Sequence, residues 1–379
     1  MKTNHGINAL RFIAALLVVI SHIRTLFFVD FGSADDGGPV TQAIYLVGSL
    51  GHAAVIVFFV LSGYWVGGSV LRGIARQSFS VKLYAASRLT RLWIVLVPAL
   101  LLTQLLDRLG RALFTESDIY LGTSAYHTVV PEAGPALDLL TTIGNLFFVQ
   151  SVYTDVLGTN TPLWSLAYEF WYYLLFPSAL LAFAKGISGW QRLLAGLVFI
   201  VGATISGPSV LLLFPAWLAG AALAHFQEPV RGWTRSLTQL RLSLFRWGAT
   251  SILIGGCVAT VIADLTGMIA AIVIALPSCV WLASFILDVR STRLTRMTVV
   301  PLSKAADWSY SLYASHMPVV AFLSAWLIGN ESARWQVSGW SGLGALGIVL
   351  IVTVFAFALS LVTEKHTHPL RNLILRRSI

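Results

Sequence analysis

The stretch RFIAALLVVISHIR (residues 11–24) is apolar between its ends, yet it opens on Arg11 and holds His22 well inside. An ionisable group in hydrocarbon costs a few kcal/mol or more, so such residues are functional by default. Eleven helical positions turn through about 1,100°, about 20° from three full turns, and rise about 16 Å. As a helix, the stretch therefore carries Arg11 and His22 on one face, about half a hydrocarbon core apart. A plainer reading stands beside this one: Arg11 snorkels to the surface as an anchor, and His22 makes one interhelical hydrogen bond.

The whole chain shares the character of this stretch. It has 379 residues, 57% hydrophobic, 12% aromatic and 11% charged, which is not the composition of a soluble domain. Apolar runs long enough for a bilayer recur from end to end. They predict an all-α integral membrane protein of about ten transmembrane helices, near 7–29, 43–66, 88–107, 162–183, 193–206, 208–226, 243–263, 267–287, 308–328 and 340–362. The first run is too long for a signal-peptide core and reads as a retained helix. Cys257 and Cys279 both fall inside apolar runs and suggest neither a disulfide framework nor a metal site.

The net charge of +9 would suit a nucleic-acid partner, but its distribution argues otherwise. With the N-terminus inside and strict alternation of the spans, only Arg24, Arg108, Arg111 and Arg334 fall outside or at the outer rim, and Arg11 lies within the first span. The remaining Lys and Arg fall inside, Lys2, Arg290 and Arg377 among them. By the positive-inside rule both termini are cytoplasmic and the excess charge records topology. Residues 363–379 form a basic cytoplasmic tail. Residues 108–161 form an acidic external loop with Glu116, Asp118, Glu132, Asp138 and Asp155. Within it, LLTTIGNLFFVQSV (139–152) is too short to span and reads as re-entrant or interfacial. The chain shows no repeat, phosphate-binding loop or dinucleotide fingerprint. It reads as one integral domain with no appended soluble enzyme.

Other spans supply polar companions at two depths. Arg88 and Arg91, three apart in SRLTRLWIVLVP, project from one helical turn at the cytoplasmic surface. They are either topology charge or a guanidinium cluster for phosphate. Glu169, in TPLWSLAYEFWYYLLFP (161–177), lies one to two turns into hydrocarbon, where it needs a cationic partner, a proton or a water-filled cavity. The aromatics around it, Trp164 included, read mostly as an interfacial belt. His52 has a depth comparable to His22. Ser62 and Gly63 sit near the cytoplasmic end of the same span, where small residues commonly pack helices. His316, in SYSLYASHMPVV (309–320), falls near mid-membrane, followed by Pro318, which can loosen the backbone beside a cavity. It either lines a tunnel or bridges helices. Cations inside and a histidine–carboxylate set further out suggest group transfer within or across the membrane.

In order along the chain, LRFIAALLVVISH, FFVLSGY, RLTRLWIVLVP, LWSLAYEFWYYLLFP and SYSLYASHMPV resemble the membrane acyltransferase-3 family, whose members O-acylate extracytoplasmic glycans and related molecules. The resemblance implies acetyl-CoA or another acyl-CoA from the cytosol as donor, His22 as the catalytic histidine, and Arg11, Arg88 and Arg91 as the donor-binding cations. It departs at Ile56, where many members carry an aspartate, so any role of that acid passes to another group, with Glu169 the candidate. The chain also ends after the tenth span, without the hydrolase-like domain that some members append.

The expectation is an O-acyltransferase of the bacterial inner or plasma membrane. It would transfer an acyl group, most simply acetyl, to a glycan or small-molecule hydroxyl, with no metal and no nucleic acid. His22 would be the base and Glu169 its orienting or stabilising carboxylate, with His52, Ser62, Trp164 and His316 toward the acceptor. An acyl-histidine intermediate is the competing chemistry. The rival from another class is a transporter of a lipid-linked sugar or small anion that uses the same groups as a proton relay.

Overall fold

A computed structural model of the chain describes residues 4–122, 136–287 and 293–376. Lys2, Glu132, Arg290 and Arg377, used above for topology, lie outside the described residues. The described chain is helical with only isolated bridges for β-structure. This follows from the solvent: in hydrocarbon each backbone N–H and C=O must be satisfied within its own segment.

Among the described residues, seven helices are long and apolar enough to cross a membrane: His5–Phe27, Gly51–Ala75, Val81–Leu113, Gly189–His225, Gln239–Ile262, Gly267–Ser284 and Gly339–Leu375. Two further helices of 19 residues, Trp164–Ala182 and Ser309–Leu327, fall outside that set. They carry Glu169 and His316, and their faces are covered by protein; most of Ser309–Leu327 is buried. A helix surrounded by other helices need not be apolar on every side.

The sequence reading needs one correction and gains one detail. The span expected at 43–66 begins later. Pro39–Gly48 is a separate short helix, and the long helix starts at Gly51 and runs to Ala75. The segment is apolar across the break, so hydropathy could not find it. The GP pair at 207–208 breaks Gly189–His225, with Gly207 at φ 77° and ψ 170°, a conformation that glycine tolerates.

The chain divides into two compact units. The first comprises Met1–Ala14, His52–Tyr84 and Tyr168–Asp307. At its centre the backbones of Gly51–Ala75 and Gly189–His225 touch. A β-carbon on Gly63 would fall on the Trp217 carbonyl, and one on Gly220 would fall on the Val60 carbonyl. One turn on, Gly67 and Gly68 face the β-carbons of Ala221 and Ala224, where an added β-carbon would stand at 2.6 and 2.7 Å. This is small-residue packing of membrane helices, and it accounts for the glycines of SGYWVGG. Between them, residues Gly63–Gly67 form a π-helical turn. Elsewhere in this unit Arg246 donates to the carbonyls of Ser284 and Leu287 at 3.1 and 2.7 Å, capping the end of Gly267–Ser284 with a cation as the helix dipole favours.

The second unit comprises Ala15–Gly51, Ala85–Ala167 and Trp308–Ile379. Its segment 136–161 is anchored from within. Asp107, fully buried, accepts from Thr159 N and Oγ1 at 2.7 and 2.9 Å. The stretch expected to be re-entrant or interfacial contains only an eight-residue helix, Leu139–Leu146, capped by Asp138, which accepts from Thr141 N at 2.8 Å. The Thr141 bonds hold the Asp138 carboxyl below its ordinary range. The cap is therefore present above that range and lost as pH falls through the lowered value.

Gly220→Val is expected to abolish the close approach of the two backbones. Overpacking of this kind costs about 1–3 kcal/mol or more, so the variant should show a lowered melting temperature in detergent. Gly232→Val, where an added β-carbon meets nothing within 4 Å, should leave it near the parent value.

Candidate active site

Glu169 is fixed within the first unit by residues from three helices. Ser62 Oγ donates to Glu169 Oε1 at 2.7 Å, and the Tyr173 hydroxyl donates to the same oxygen. Trp217 Nε1 donates to Ser62 Oγ at 3.1 Å, completing a chain of donors from indole to hydroxyl to carboxylate. Oε2 carries none of these bonds. Ser62, Tyr173 and Trp217 are all buried, so the polar row is shielded from lipid. Neighbouring Gly63 supplies the close helix approach, and Ser62 supplies the hydrogen bond. Tyr173 stands one helical turn beyond Glu169, and the i, i+4 rule could have found it. Trp217 is 155 positions from Ser62 and left no signal in the sequence.

His22 belongs to the second unit, and so does His316. Their rings meet with His316 Nε2 at 3.1 Å from His22 Nδ1 and centroids 5.1 Å apart. His316 has no exposed surface, whereas His22 keeps some. The other nitrogen of His316, Nδ1, faces the carbonyl oxygens of Leu312 and Tyr313 at 3.1 and 2.8 Å. The sequence reading placed His316 on the acceptor side as a tunnel-lining or bridging residue; the geometry makes it the partner of His22.

The backbone around His316 is repaired by a side chain distant in sequence. Pro318 has no N–H, so the Ala314 carbonyl four residues earlier lacks its helical donor. Asn160, fully buried, supplies one: its Nδ2 donates to Ala314 O at 2.9 Å and to Thr103 Oγ1 at 3.1 Å. The Tyr313 hydroxyl meets Ser165 Oγ at 2.6 Å and donates to Pro162 O at 3.0 Å. Asn160, Ser165 and Tyr313 escaped the sequence reading, because side chains satisfying a distant backbone have no local pattern.

Two of the three expected donor-side cations, Arg91 and Arg11, take aromatic neighbours. Arg91 Cζ lies 5.9 Å from the Tyr310 ring centroid in the second unit. Arg88, half-buried, donates to Ser87 Oγ at 3.0 Å. In the first unit Arg11 lies 5.7 Å over Trp65 and donates to the Ala306 carbonyl. Such contacts are worth about 0.5–2 kcal/mol each and hold a guanidinium without neutralising it. Of the remaining expected residues, His52 stands on the exposed side of its helix and Trp164, half-buried, opens Trp164–Ala182. Ile56 is fully buried.

Comparison with known proteins bears on this arrangement. The acyltransferase domain Acyl_transf_3 matches residues 4–365. The acyltransferase MdmB of Streptomyces mycarofaciens is 28% identical over 98% of this chain and 92% of its own length. A putative membrane-bound transacylase, BcsY of Komagataeibacter xylinus, is 26% identical over 82% of the chain and 75% of its own. An O-acetyl transferase of Shigella phage Sf6 is 28% identical over 58% of the chain and 59% of its own. No solved structure matches the chain.

The Asn160 repair predicts a specific non-additivity. Asn160→Ala should destabilise the protein by about 1–3 kcal/mol, the cost of a buried acceptor left unmade. In a Pro318→Ala background, where the helix regains its own N–H, the same substitution should cost less. Thermal melts of the four proteins in detergent measure the coupling, and equal costs in both backgrounds would remove the role given to Asn160.

Proposed function

The chain belongs to the acyltransferase-3 family, and from that premise we propose that it moves an acyl group, most simply acetyl, from cytosolic acyl-CoA to a hydroxyl of an extracytoplasmic or lipid-linked glycan. That it is a multi-pass membrane O-acyltransferase follows from the family, the relatives and the apolar helices. Donor, acceptor and residue roles are our reading, as is an orientation with both termini cytoplasmic.

The observation that carries it is the paired state of His22. A partly accessible imidazole held by a fully buried one is an arrangement suited to taking and returning a proton. Histidine's unperturbed pKa near 6.5 fits that work at neutral pH. The acceptor O–H gives its proton to a His22 ring nitrogen as the oxygen attacks the thioester carbonyl carbon. The C–O bond forms, the C–S bond breaks, and the departing CoA sulfur takes the proton back from His22. Glu169 is proposed as the functional carboxylate, supported by two donors that converge on one of its oxygens. Arg11, Arg88 and Arg91 are the proposed cations for the CoA phosphates, a ligand that arginine's planar fork suits.

Purified protein in lipid nanodiscs, given labelled acetyl-CoA and a hydroxylated glycan acceptor, should release CoA in step with acceptor labelling. His22→Asn should lower transfer by about 10²- to 10⁴-fold, the range of general-base catalysis, at an unchanged melting temperature. Transfer at the parent rate by that variant would end the His22 assignment. Arg91→Ala should act on the donor alone, raising KM for acetyl-CoA by about tenfold or more, as for a lost charge-assisted hydrogen bond, with kcat retained. An unchanged KM would remove Arg91 from the donor site.

A further inference from the structure

We infer that His316 is a positioning residue that fixes the proton of His22 on Nδ1, leaving His22 Nε2 as the nitrogen that receives the acceptor's proton. The inference rests on the reading of His22 as base and adds which atom does the work and what sets it.

His316 Nδ1 lies 3.1 and 2.8 Å from the oxygens of Leu312 and Tyr313. A carbonyl oxygen only accepts, so Nδ1 must carry a hydrogen. A neutral imidazole has one N–H, so His316 Nε2 presents a lone pair. Neutrality follows from the surroundings. The ring has no exposed surface, and among the described residues neither histidine is bonded to a carboxylate. An imidazolium there would be a buried charge without a counter-ion, which proteins avoid.

The lone pair on His316 Nε2 faces His22 Nδ1 at 3.1 Å. Two lone pairs at that distance would repel, so His22 Nδ1 carries the hydrogen and donates it. His22, also neutral, then has its own lone pair on Nε2. One choice of proton, made by the helical backbone at Leu312 and Tyr313, thus passes through two rings without any charged group. When the acceptor O–H transfers its proton to His22 Nε2, the ring becomes an imidazolium. Its Nδ1–H bond to His316 then becomes charge-assisted and stronger. The same Nε2–H protonates the departing sulfur, and both rings return to their starting tautomers. His316 gains and loses no proton and touches no substrate. It works as the second partner of a histidine commonly does, by fixing tautomer and ring orientation.

The test reads the tautomer directly. Full-length protein in nanodiscs, labelled with ring-15N histidine, distinguishes protonated from unprotonated ring nitrogens, and the His22 signals are those lost in His22→Asn. The parent should show His22 protonated on Nδ1 and bare on Nε2. In His316→Leu, which cannot accept, that preference should be lost and kcat should fall about 10- to 100-fold, the usual cost of removing an orienting partner, with KM for acetyl-CoA unchanged. His316→Gln, whose amide oxygen can accept from Nδ1–H, should recover part of kcat and the parent tautomer. A parent His22 protonated on Nε2 overturns the inference even if the Leu variant fails to fold. So does His316→Leu with parental kcat. Parental transfer by His22→Asn would instead overturn the base assignment, and the tautomer measurement would still decide the proton's position by itself.

Discussion

A carbonyl released from its helical hydrogen bond inside hydrocarbon has no water to turn to, and the placement of this protein's buried polar side chains follows from that. Two prolines show it. Pro177 cannot donate to the Tyr173 carbonyl, and the Tyr84 hydroxyl does so at 3.0 Å. Pro318 cannot donate to the Ala314 carbonyl, and Asn160 does so at 2.9 Å. Hydroxyls elsewhere fold back onto their own helices: Thr103 onto Ala99, Ser278 onto Ile274 and Ser315 onto Ser311, at 2.8, 2.7 and 2.7 Å. Ser62 departs from that habit: its hydroxyl turns outward to another helix and donates to a carboxylate.

The same constraint separates lipid-facing helices from interior ones. Gln239–Ile262 and Gly339–Val362 leave many apolar side chains exposed, as a lipid solvent requires. The helices of Glu169 and His316 are sheathed by protein and can hold tyrosines, serines and a histidine in bonded positions. Desolvation makes those groups costly to leave unpaired: His316 and Tyr172 take partners from far along the chain, whereas Ser178 and Ser315 bond carbonyls of their own helices.

This divides what the sequence could reveal from what it could not. Helix periodicity and depth put Arg11 and His22 on one face and marked Glu169, His316 and the Arg88–Arg91 pair, because each depends only on position within one apolar run. Gly63 was legible as a packing position for the same reason. Partners were not legible. His316 meets His22 across 294 positions and Trp217 meets Ser62 across 155, and no local pattern encodes such pairs. Glu169 was expected to orient His22. The bonds now visible give His22 a second imidazole, and Glu169 a serine and a tyrosine. Hydropathy also missed the break after Gly48, since both sides of it are apolar.

The π-helical turn at Gly63–Gly67 has a consequence for how this helix tolerates change in length. A π turn holds one residue more than an α turn, and such turns arise inside α-helices as isolated bulges. Removing one residue from within it can be absorbed by closing the bulge, so the helix before and after keeps its facing. The same deletion between Gly51 and Ser62 would swing everything beyond it by about 100°, carrying Gly67 and Gly68 away from Ala221 and Ala224. In this helix the count of residues and the direction of its faces are uncoupled at one place, and that place adjoins the serine that holds Glu169.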